Sequence, residues 1–110
     1  MIDLESLGYI DITEQHPIRF MECLGVSFGT VYPYSKRFYK KEDDMTIELI
    51  VGNKYNNVDI HGICYYDNGW HSFDIHAMLD DVYEQLKQTL SCIKMNIQHK
   101  RHQNAIANYF

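Results

Sequence analysis

The chain has 110 residues, 45% of them hydrophobic and 23% charged, and fifteen Asp and Glu against ten Lys and Arg give a formal net charge of −5. This suits one soluble domain with a single modest core, and no apolar run approaches the ~18 residues of a membrane span. Cys23, Cys64 and Cys92 are too few and too scattered for a disulfide framework or a C-x-x-C metal pattern. The acidic start "MIDLESLGYI" lacks the basic and apolar regions of a signal peptide. A cytoplasmic chain with reduced thiols is expected.

Taken in order, "DLESLG" (3–8) reads as one helical turn stopped by Gly8. Thr13 to Leu24 reads as a short helix with Pro17 in its first turn and Gly25 placed to end it. "VSFGTVY" (26–32) reads as a strand, and "PYSKRFYKKEDD" (33–44) as a polar connection carrying aromatic residues. "MTIELIV" (45–51) alternates and is rich in β-branched residues. "VDIHGICYY" (58–66) and "WHSFDI" (70–75) flank Asn68-Gly69, the strongest short hairpin signal because a type I′ turn needs two positive φ angles.

From Leu79 the period becomes helical, with Leu79, Val82, Tyr83, Leu86 and Leu90 on one face and Asp74 as candidate N-cap. Beyond Ser91 the segment also alternates like a strand, but Leu90, Ile93 and Ile97 continue the stripe, which favours helix. The expected class is α+β. A three-stranded antiparallel meander (about 45–75) and an N-terminal strand pack against a long C-terminal helix and a short N-terminal helix, in a single domain.

The Asn68-Gly69 turn sets Asp67 opposite Trp70, so that Cys64 meets Phe73 and His61 meets His76. If Val51 also meets Val58, then Ile47, Leu49, Val51, Val58, Ile60, Cys64, Phe73 and Ile75 form the core face. The opposite face carries Glu48, Ile50, Asp59, His61, Ile63, Tyr65, Trp70, Ser72, Asp74 and His76. In this register Glu48, His61 and His76 make a row, and two histidines with a carboxylate are zinc or non-heme iron ligand types. Solvated sheet residues remain the simpler reading of that row. No nucleophile elbow, P-loop, dinucleotide fingerprint or H-E-x-x-H motif is present, and no cofactor is implied.

Charge is segregated along the chain. Residues 42–84 carry ten acids against Lys54, while "KRFYKK" before them and 85–110 after them carry no acid. This argues against phosphate binding over the sheet and for steering toward a basic partner. Nine tyrosines, five phenylalanines and one tryptophan supply interface-type residues, including Tyr32, Tyr34, Phe38 and Tyr39, with Tyr109 and Phe110 at the end. A small, acidic, tyrosine-rich chain without a catalytic motif resembles in profile the immunity proteins that neutralise bacterial toxins. An alternative with the same profile is a phage protein that blocks a host defence enzyme. The resemblance implies a non-enzymatic inhibitor that occludes the basic cleft of a toxin such as a nuclease effector. Asp59, Tyr65, Asp67, Trp70, Asp74, Asp80 and Asp81 are the candidate contacts. The alternatives are a small metal-dependent enzyme using Glu48, His61 and His76, and a homo-oligomer joined through an edge strand or the Ile93 and Ile97 stripe.

Overall fold

The computed structural model describes residues 2–15, 36–42 and 44–109. Five strands form one antiparallel sheet in chain order: β1 (Ile10–Asp11), β2 (Lys36–Glu42), β3 (Met45–Lys54), β4 (Asn57–Tyr66) and β5 (Gly69–Met78). The helix α1 (Leu79–Tyr109) follows directly. The fold is therefore α+β, with the antiparallel sheet and long C-terminal helix that the periodicity indicates. Most of the expected 13–24 helix, the expected strand at 26–32, and Cys23, Tyr32, Tyr34 and Phe110 lie outside the described residues.

Before β1, Glu5–Leu7 form a 3-10 turn closed by Gly8, which sits at φ 91° and donates its N–H to the Glu5 carbonyl. A side chain is disfavoured at that φ, which is why glycine stands there. The segment 33–44 is not a connection. Lys36 to Glu42 pair along their whole length with Val51 to Met45. Phe38 drives this, buried opposite Leu49, and cross-strand packing overrides the weak strand propensity of four basic residues.

Both hairpin registers differ by two residues from those expected. Across β4 and β5, Tyr66 faces Gly69 and Cys64 faces His71. The turn centre is Asp67-Asn68, at φ 47° and 71°, rather than Asn68-Gly69. Aspartate and asparagine tolerate this left-handed region better than other side chains, so the type I′ turn forms one residue earlier. Across β3 and β4, Val51 faces Ile60 rather than Val58, and Tyr55 in the turn takes φ 55°. An even slip preserves the faces. Ile47, Leu49, Val51, Val58, Ile60, Cys64, Phe73 and Ile75 are all buried.

Strand β5 runs through Met78, so Asp74 is a strand residue and not an N-cap. The Leu79 N–H instead bonds the Asn56 carbonyl at 2.7 Å. Asp80 and Asp81 occupy the first turn of α1, where carboxylates complement the helix dipole. The helix packs chiefly on β5 and buries Val82, Leu86, Leu90, Ile93 and Ile97. Each such side chain stabilises by roughly 1.5–3 kcal/mol relative to exposure. Residues 92–98 are thus helical, and α1 reaches about 46 Å at 1.5 Å per residue. Ile2, Leu4 and Tyr9 complete the core from the N-terminal segment.

Candidate functional site

The sheet face turned away from α1 is organised in cross-strand rows. Lys41, Thr46, Tyr65 and Trp70 form the first. Ile10, Tyr39, Glu48, Ile63 and Ser72 form the second. Arg37, Ile50, His61 and Asp74 form the third, and Gly52, Asp59 and His76 the fourth. Cations therefore stand on β2, and carboxylates on β3, β4 and β5.

Tyr65 and Trp70 are direct cross-strand partners, 41% and 65% exposed. Side chains directly opposite on one face of a sheet are neighbours, so the two aromatics present one exposed patch. The Tyr65 hydroxyl donates to Glu48 Oε2 at 3.4 Å. Partial burial, then the Glu48 charge, push its pKa above the ordinary tyrosine value, so it stays a donor at neutral pH.

The histidines pair with aspartates rather than with each other. His61 Nδ1 lies 2.8 Å from Asp74 Oδ1, and His76 Nδ1 lies 2.5 Å from Asp59 Oδ1. An ionised carboxylate only accepts, so each Nδ1 carries the hydrogen and each Nε2 is left for other partners. Asp59 is 6% exposed, and its Oδ2 is buried without a hydrogen-bond partner. Glu48 faces Ile63, His61 faces Ile50 and Asp74, and His76 faces Asp59, so the row of Glu48, His61 and His76 does not exist. Among the described residues, no group of three or more His, Cys, Asp or Glu side chains is placed to hold a metal ion.

The acidic segment is partly neutralised within the fold. Glu42 is paired with Lys40 and Lys94. Burial pushes its carboxyl up, and the two lysines more than offset this, holding it below the usual carboxylate range. Arg101 bonds Asp67 through Nε at 2.6 Å and Nη2 at 2.8 Å, and also reaches Asp44. Asp67 is thus turned toward the helix rather than toward the Trp70 face.

Of the candidate contacts, Asp59, Tyr65, Trp70 and Asp74 share the face turned away from α1, and Asp80 and Asp81 follow at the end of β5. Ile50 and Ile63, named on this face from the alternation, stand there half-buried, joined by Tyr39 and Arg37 from the unexpected β2. The alternation of Arg37, Phe38 and Tyr39 was the available signal for these last two. No helix among the described residues is long and apolar enough to cross a membrane. Comparison with protein-family models, with curated proteins and with solved structures finds no match.

Proposed function

We propose that the chain is a small inhibitory binding protein of the immunity type, which docks the sheet face opposite α1 on a basic protein surface such as the cleft of a toxin nuclease. The observation that carries this reading is the Tyr65 and Trp70 pair. A tryptophan 65% exposed beside a tyrosine, on the sheet face that α1 leaves open, is the composition of an interface hot spot.

Charge supports a basic partner. From Trp70 the β5 strip continues through Ser72, Asp74 and His76 to Asp80 and Asp81, with Lys41 and Arg37 displaced to β2. An acidic, aromatic strip accelerates and orients docking on a basic cleft. Among the described residues β5 pairs only with β4, so its outer edge also offers backbone groups for an added strand.

The reading places a cognate toxin gene beside that of this chain in the source genome. Co-expression with that neighbour tests it. The chain should protect cells from the neighbour's toxicity and form a stoichiometric complex with its product, and a folded Tyr65→Ala, Trp70→Ala variant should not. A neighbour that is harmless or does not bind would overturn the reading.

A further inference from the structure

At the end of β4 and β5 remote from Trp70, a hollow of about 500 Å³ lies between the strand ends and the first turns of α1. Asn57, Asp59, His76, Asp81 and Gln85 line it. Its chemistry is one-sided. One Asp59 oxygen holds His76, while the other is buried without a donor in a residue only 6% exposed. A buried carboxylate oxygen left unpaired is rare, and its charge is felt in the space beside it. With Nδ1 committed to Asp59, Nε2 of the His76 ring is left for a ligand, as an acceptor in the tautomer that carries its hydrogen on Nδ1. Asp81 adds an exposed carboxylate that has no ion pair among the described residues. Since no three side chains there are placed as metal ligands, the cation that fits must bring its own donors.

We propose that this hollow receives the guanidinium group of an arginine presented by the protein partner. Five donors fixed in a plane match acceptors spread over His76, Asp81, Asn57 and Gln85, and a flat cation stacks on the exposed His76 ring. The compact ammonium of lysine offers neither the fork nor the stacking. The assignment rests on the reading of the chain as an inhibitor of a basic protein. It adds a second anchor about 20 Å along β5 from Trp70, at roughly 3.3 Å per residue.

The test is a titration of the ¹⁵N-labelled full chain with a blocked arginine amide, followed through backbone amide shifts. Blocked lysine amide and blocked citrulline amide, which keeps the shape without the charge, are titrated in parallel. Arginine should give saturable shifts centred on Asn57, Asp59, His76, Asp81 and Gln85. Lysine should bind about threefold to fivefold more weakly, and citrulline should not saturate. Asp81→Asn, on an exposed helical turn, should weaken arginine by a similar factor without disturbing the rest of the spectrum. Absence of saturable shifts there, equal binding of lysine or citrulline, or an Asp81→Asn chain that binds like the wild type would each overturn the assignment. The titration contains no partner, so its failure would be distinct from failure of docking at Trp70, which the co-expression experiment reads.

Discussion

Phe73 on β5 occupies the volume that a side chain at Gly62 on β4 would need: its ring carbons lie 2.1 to 2.6 Å from the position of a Cβ there. The two residues face each other on the core side of the sheet. Gly62→Ala should force the ring out of its place and destabilise the fold by about 1–3 kcal/mol, the usual range for overpacking. Urea unfolding measures this. Adding Phe73→Leu should recover part of the loss, whereas equal stability of Gly62→Ala and wild type would show that the ring has room to move.

Arg101 ties α1 to the turns on either side of the β3–β4 hairpin, through Asp44 and Asp67. Its hydrogen bonds to Asp67 hold that carboxyl below the usual range, and those from Thr13 do the same for Asp11. Glu42 is also lowered. A lowered folded pKa gives stability that is present above the unfolded value of about 4 and lost as pH falls through the folded value. The melting temperature should therefore hold from pH 7 to about 5 and fall below about 4. Arg101→Leu should melt lower at pH 7, with the gap to wild type narrowing by pH 3. An equal gap at both pH values would show that the Arg101 carboxylate contacts do not contribute.

Cys64 is fully buried, and burial, followed by the Glu42 charge, pushes its thiol up to about 11. Cys92 is exposed on α1. In a Cys23→Ser background at pH 8, a thiol reagent should label one cysteine at once and the second only at the rate of unfolding, since the thiolate is the reactive form. Two fast thiols would contradict the burial of Cys64 beneath the helix.

The sequence showed which residues face the core but not which stand side by side. Alternation has a period of two, so a turn centred on Asp67-Asn68 instead of Asn68-Gly69 moves every partner by two and leaves each face intact. Cys64 stays buried, while His61 exchanges His76 for Asp74 and the metal row dissolves. The β2 strand was hidden because "KRFYKK" has no β-branched residue, and only pairing with β3 reveals Phe38 as core. Part of the acidic segment is neutralised for a related reason: Lys94 and Arg101, distant in sequence, return on α1 to meet Glu42, Asp44 and Asp67. Alternation puts Tyr65 and Trp70 on the face opposite the core, but only the shifted register makes them direct partners.

The most direct measurement compares wild type and Trp70→Ala for affinity toward the purified product of the adjacent gene, which the proposed function expects to encode a basic toxin. Trp70 is 65% exposed, so its removal should leave the melting temperature nearly unchanged. Truncating a central aromatic anchor removes ~2 kcal/mol or more, a loss of roughly 30-fold in affinity. A stable Trp70→Ala chain that binds at least ~30-fold more weakly is the predicted result; one that binds as tightly as wild type would contradict docking at this face.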